Sequence, residues 1–279
     1  MTREKIMPSP SHQVVPSGAD AGQGYRFEHL ALSEIMKDMR FSASDPAPGE
    51  HIPEFDLPVV GGGRFRSRQL GELPVLLIFG SSTCPATDSA APGLNELHRS
   101  FGDAVRFVLV NVREAHPGES VSQPRTLEAK MDNARRMRAL HGIAYEVAVD
   151  DLDGTLHRAL SPKPNSAYLI GPDGAILFRA HWANDTAALR TALEQAAGGT
   201  QVSPTRSGGV ARAMLRMLRY IPGVLDRAGR KAWTDMWRIA TPLAALAYVL
   251  KALRLADVPR LPAAQPTEDP TGAARERRA

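Results

Sequence analysis

The chain lacks a second cysteine. Cys84 stands alone among 279 residues, which excludes an intramolecular disulfide and argues against a fold built for an oxidising compartment. An apolar leader is missing too: residues 1–24, "MTREKIMPSPSHQVVPSGADAGQG", contain no hydrophobic core segment, so the sequence reads as cytoplasmic. Long apolar runs are also missing. Past residue 200 the longest uncharged stretch, Ile239 to Leu250, has 12 residues, whereas a membrane-spanning helix needs roughly 20. No internal repeat is visible. The histidines show no metal-ligand spacing, and no metal site is expected. No nucleic-acid-binding motif occurs, so a nucleic-acid partner is not expected.

Enough apolar material remains for a core: 43% of residues, ordinary for a globular protein. Charge is divided unevenly. Residues 1–202 carry 20 basic against 24 acidic residues, and 203–279 carry 14 against 6. A basic tail on a mildly acidic body implies a different environment for the tail.

Four regions follow from composition and periodicity. Residues 1–44 form an N-terminal extension, disordered over 1–24, with one amphipathic helix in 25–41 that places Phe27, Leu30, Leu32, Ile35, Met36 and Met39 at helical spacing. Residues 45–200 alternate short strands and helices. A hairpin over 54–67 turns at Gly61 to Gly63. "PVLLIFG" (74–80) and "VRFVLVNV" (105–112) read as strands buried on both faces. Helices are expected at 91–101, 125–142, 153–160 and 185–199, with a third strand at "YEVAVDD" and a hairpin over 165–180 turning at Pro172-Asp173-Gly174. This pattern predicts an α/β fold with a mixed central sheet flanked by helices. Residues 201–258 predict two or three basic amphipathic helices, and 259–279 read as a disordered tail.

Cys84 falls just past a central strand, where a helix begins, which is where sites sit in such sheets. A free thiol has a pKa of about 8.5, and the N–H groups at a helix start favour the thiolate. Thr87 is placed to bring its hydroxyl back over the sulfur, and Ser81 and Thr83 are further donors. A lowered thiol pKa is therefore expected. The competing reading is an inert buried cysteine.

"FGSSTCP" (79–85) and "REAHPGE" (113–119) together resemble the iodothyronine deiodinase family, within the thioredoxin-like superfamily. "VAVDD" and "PNSAYLIGPDGAILFRAHW" (164–182) continue the resemblance, which covers about residues 45–198. It implies a thioredoxin-like fold, with Cys84 in the selenocysteine position as the nucleophile that takes halogen from an iodinated phenol. It implies His116 as the proton-transfer partner, Glu114 beside it, and Pro164 as the cis-proline facing the cysteine. Glu128 and Trp182 are the candidate substrate contacts. Sulfur stands where the family has selenium, Ser82 where some members have cysteine, and a second family histidine, near the start of the helix at 125–141, is absent.

Three functions stay open: a deiodinase-like reductive dehalogenase acting on a halogenated aromatic, a one-cysteine peroxiredoxin-like peroxidase, and a non-catalytic thioredoxin-fold binding protein. Without a resolving cysteine, both enzymes need an external thiol such as glutathione or a thioredoxin-like protein, and no bound cofactor. Residues 206–254 are read either as a membrane-surface element, with Trp233 and Trp237 at the interface, or as helices packed on the body or on a second copy in a homodimer.

Overall fold

The computed structural model describes residues 24–38, 41–42, 44–203, 210–257 and 259. The expectations of disorder for 1–23 and 260–279, and the place of Met39 in the first helix, lie outside those residues.

Two runs of apolar residues make the centre of the molecule. β3 (Val75–Gly80) is buried at every position, and β4 (Arg106–Asn111) at all but its first. They pair in parallel, Val75 opposite Arg106 through Gly80 opposite Asn111. β5 (Glu146–Val149) extends the sheet in parallel beyond β4. On the other side β6 (Ala167–Ile170) runs antiparallel to β3, and β7 (Ile176–Ala180) antiparallel to β6. The order is β5-β4-β3-β6-β7. Strands β4-β3-β6-β7, with a helix after β3 and another after β7, have the thioredoxin-like arrangement. The α/β fold with a mixed sheet is the one expected from the sequence.

Alternation along each strand splits the core in two. Leu76 and Ile78 point to one face, against Leu94 and Leu97 of α2 (Pro85–Phe101), Met137 of α3 (Leu127–His141) and Leu189 and Leu193 of α5 (Thr186–Ala197). Val75, Leu77 and Phe79 point to the other. That face is covered by the hairpin of β1 (Asp56–Pro58) and β2 (Arg64–Arg66), and by α4 (Thr155–Ala159) through Leu156. Burying each such leucine or phenylalanine is worth about 1.5–3 kcal/mol.

The ends of α3 follow their residues. Thr126 caps the start by accepting the Ala129 N–H at 3.1 Å, and Gly142 ends the helix at φ 58°. Two expectations are corrected. The helix expected at 91–101 starts six residues earlier, because Pro92 sits inside it rather than before it. The N-terminal helix is shorter than 25–41: α1 spans only Leu32–Asp38.

Past residue 209 the chain forms four short helices: α6 (Val210–Met217), α7 (Ile221–Ala228), α8 (Arg230–Ile239) and α9 (Thr241–Ala252). The expected two or three become four, because Gly229 adopts φ 114° and separates α7 from α8. They share a small core of Ile221, Leu225, Ala228, Met236 and Ala244. α6 and α7 lie on α2. Among the described residues no helix is long and apolar enough to cross a membrane.

Candidate active site

β3 ends at Gly80, and a tight loop delivers Cys84 to the N-cap of α2 with an extended backbone (φ −108°, ψ 116°). Pro85 takes the first helical position, where its missing N–H costs nothing. The sulfur faces the N–H groups of Ala86 and Thr87 and the Thr87 hydroxyl. Thr87 Oγ1 also accepts the Ser81 N–H at 3.2 Å, which closes the loop. A Cβ on Gly80 would press on Thr87 at 3.1 Å, so this strand end keeps Thr87 in place by being glycine.

Of the three hydroxyls expected around the sulfur, Thr87 alone reaches it. Ser81 Oγ is buried without a partner. Thr83 is engaged elsewhere: its N–H and its hydroxyl donate to Glu114 Oε2 at 2.9 and 2.8 Å. The expected low thiol pKa is also overturned. Cys84 is 2% exposed, and burial pushes the thiol up to about 11 against the pull of the Ala86 and Thr87 donors, with Asp88 adding to the rise.

Glu114 is a brace rather than a pocket wall. Besides Thr83 it takes Asn133 Nδ2 at 3.2 Å, and Gln123 holds its main chain on both sides. Burial raises its pKa, opposed by the Thr83 donors. This brace sets His116, whose N–H donates to Thr83 Oγ1 at 3.1 Å. Burial pushes the imidazole down to about 4, with Asp235 pulling the other way. It is therefore uncharged at pH 7, placed to accept a proton rather than to act as an imidazolium acid.

Cys84 opens into a cavity of about 110 Å³. His116, Pro164 and Trp182 line it as well, so three of the residues singled out in the sequence meet the cysteine there. Trp182 packs against Cys84 with its Nε1 buried and unpartnered. Pro164 is correctly placed but trans, since no cis peptide bond occurs among the described residues. Glu128 is not part of the site; it lies exposed in the first turn of α3.

The remaining walls went unnoticed in the sequence. Met214 and Met217 of α6, Met236 of α8 and Leu243 of α9 close the cavity from one side, and Ile35 and Asp38 of α1 from another. The signal was present as Met214 and Met217 three apart in an amphipathic helix, but nothing local says which surface such a face covers.

This cap is fastened to the cysteine loop itself. Arg227 of α7 donates from Nη2 to both Asp88 oxygens at 2.8 Å and from Nε to the Ser82 carbonyl at 2.9 Å. Glu119 accepts the N–H groups of Arg230 and Lys231 at 2.7 and 2.8 Å, capping α8. Asp235 pairs with His29 at 3.0 Å. A side chain at Gly118 would collide with the Ala228 carbonyl, so the cap seats on bare backbone there. Among the described residues no cluster of three or more His, Cys, Asp or Glu could hold a metal ion.

No family model matches the chain, and no curated protein matches it. Solved structures do. The chain is similar to an uncharacterized conserved protein from Geobacillus kaustophilus, at 18% identity over 60% of this chain and 89% of the other, with a TM-score of 0.48. It is also similar to a putative thiol:disulfide interchange protein DsbE from Chlorobium tepidum, at 23% identity over 54% and 96%, TM-score 0.42. The peroxidoxin BcpB from Mycobacterium tuberculosis matches at 18% identity over 54% and 97%, TM-score 0.40.

Proposed function

We propose that the protein is a thiol-dependent oxidoreductase, resembling the deiodinases, in which Cys84 is the redox nucleophile in reductive dehalogenation of a small halogenated aromatic. One observation carries the reading: the sulfur lines a partly open cavity walled by Trp182, methionines and aliphatic side chains, with few polar groups. Its volume of about 110 Å³ is below that of a roughly 150 Å³ cavity that holds benzene. A single halogenated ring therefore enters only when the cap moves outward.

Sulfur attacks the halogen, the carbon–halogen bond breaks, and its electron pair stays on the ring carbon, which takes up a proton. Cys84 becomes a sulfenyl halide. An external thiol then displaces halide from sulfur to form a mixed disulfide, and a second thiol releases Cys84 while the two reductant sulfurs leave as a disulfide. Glutathione or a thioredoxin-like protein, in a reducing cytoplasm, fits the role of donor.

The test is iodide release. Purified protein with dithiothreitol and a mono-iodinated phenol is expected to release iodide, and Cys84→Ser to release none. Faster consumption of hydrogen peroxide without iodide would make the protein a one-cysteine peroxidase, with a sulfenic acid in place of the sulfenyl halide. Absence of both reactions would make it a binding protein.

A peripheral membrane contact has its own support. Leu246, Val249, Leu250 and Leu253 recur along one side of α9, and Leu246, Val249 and Leu253 are exposed, as is Trp237 on α8. Lys251 and Arg254 stand close by in the chain for anionic headgroups. Replacing Leu246 and Val249 by serine is expected to reduce co-sedimentation with anionic vesicles; unchanged sedimentation together with a smaller native mass would assign this face to a homodimer.

A further inference from the structure

The first helix places an aspartate in the lining of the cysteine's cavity. Asp38, the last residue of α1, lines the Cys84 cavity beside His116 and Pro164. It also lines a second, outer depression of about 260 Å³, with Lys37, Arg113 and Lys163. Asp38 is the only described residue shared by the linings of the two. Its place is held from behind: His181 Nε2 donates to the Asp38 carbonyl at 2.6 Å, and Lys163 Nζ to the Lys37 carbonyl at 2.6 Å.

The thiol is protonated at neutral pH, so attack by sulfur requires somewhere for the proton to go. His116 can accept one but, once protonated in a buried apolar site, holds it poorly. Glu114 is occupied by Thr83 and Asn133. Asp235 is paired with His29.

We propose that Asp38 is the proton carrier for Cys84, taking the thiol proton as sulfur attacks and delivering it to the departing atom, with the outer depression as its route to solvent. The step balances. The S–H bond breaks and the proton goes to Asp38; the sulfur–halogen bond forms as the carbon–halogen bond breaks; the ring carbon takes the proton and Asp38 is again a carboxylate. Reduction of the sulfenyl halide stays with the external thiol. The inference rests on the reading of Cys84 as nucleophile, but the carrier role serves a peroxide equally, where the departing oxygen takes the proton.

The electrostatics fit a carrier. Burial raises the Asp38 carboxyl to about 7, opposed by Arg113 and Lys163, supported by Glu34 and opposed by Lys37 on its own helix. Arg158 of α4 and Tyr25 also line the outer depression, the Tyr25 hydroxyl being held by His157 Nδ1 at 2.7 Å, and His181 bonds the Asp38 carbonyl. The group that exchanges protons near neutrality is thus the one reaching both the sulfur cavity and the outside.

Alkylation of Cys84 by iodoacetamide tests this without requiring turnover. In the wild type the rate is expected to step upward near pH 7, then rise again toward pH 11; Asp38→Asn keeps only the second rise and Asp38→Glu restores the first. A single, identical inflection in wild type and Asp38→Asn overturns the proposal. If Asp38→Asn does not fold, carbon NMR of the wild-type Asp38 carboxyl decides: its midpoint shifts when Cys84 is alkylated, and an unmoved midpoint overturns the proposal. If iodide release is absent while the step near pH 7 is present, the dehalogenase reading fails and the carrier role stands. If iodide is released, Asp38→Asn is expected to lower kcat by about 10²–10⁴, and an unchanged kcat overturns the carrier role.

Discussion

The sheet and the helical cap bury apolar side chains by different rules, and Cys84 sits on the seam. In β3 every side chain from Val75 to Phe79 is enclosed by the body's own helices and hairpin. In the cap, α6 interleaves Met214, Leu215 and Met217 with Arg216, while α7, α8 and α9 share a small core of their own. The body fixes where the thiol stands and which N–H groups point at it. The cap, more than 120 residues further on, decides how much water it sees. Two donors at a helix start lower a thiol pKa, yet burial under Met217 and Trp182 raises it to about 11. The reactivity of the sulfur is thus governed by a region that shares no motif with it.

The largest expected effect separates chemistry from structure. Cys84→Ser should take thiol-dependent turnover to background while costing only about 1 kcal/mol of stability, because the change is small and Thr87 keeps its bond to Ser81; calorimetry and iodide release check the two halves.

Next comes the fastening of the cap. Arg227→Ala removes one partner of the buried Asp88, leaving His141 Nε2 at 3.2 Å, and the Arg227 bond to the Ser82 carbonyl. Breaking a buried pair costs about 3–5 kcal/mol, less where one partner reaches solvent as Arg227 does. The cap should loosen, the Cys84 pKa should fall toward about 8.5, and alkylation at pH 7.5 should accelerate at least tenfold. Leu94→Ala is the contrasting change in the body. It should cost about 2–5 kcal/mol in urea unfolding and leave the alkylation rate alone. Equal effects of both variants on alkylation would erase the distinction between body and cap.

A smaller effect concerns acid. Burial pushes His157 down to about 3 and His116 down to about 4. The unfolded chain binds those protons first, so stability is present above about pH 6.5 and lost as pH falls through 6.5 toward 3, with a slope of about 1.36 kcal/mol per pH unit for each histidine. Asp38 works the other way: raised to about 7, it withdraws stability as pH rises from about 4 to 7. Urea midpoints at pH 7.5 and 4.5 should show a net loss at the lower pH, and His157→Asn should shrink it.

What could be read from the sequence divides along the same seam. The buried strands, the Pro172-Asp173-Gly174 turn and the αL stop at Gly142 are local events, dictated by residues that touch one another along the chain. Cys84, His116, Pro164 and Trp182, each singled out in the sequence, line one cavity. Asp38, Met236 and Arg227 were not legible, because their roles exist only after distant segments pack. Glu128 was misplaced for the same reason: its position in α3 is clear from the sequence, but not the direction it faces. Pro92 misled differently, as a helix breaker that the helix absorbs.

One consequence remains in the closure over Cys84. A protein with a single cysteine has no internal partner to trap an oxidised sulfur, and an exposed one would be hydrolysed or driven on to sulfinic acid. The same wall that slows the thiol's first attack shelters its product. Methionine, aliphatic and tryptophan side chains wall the sulfur, so under the proposed chemistry the life of an oxidised Cys84 would be set by how often the Arg227 fastening lets go. The cap would then time the intermediate as much as it covers the substrate.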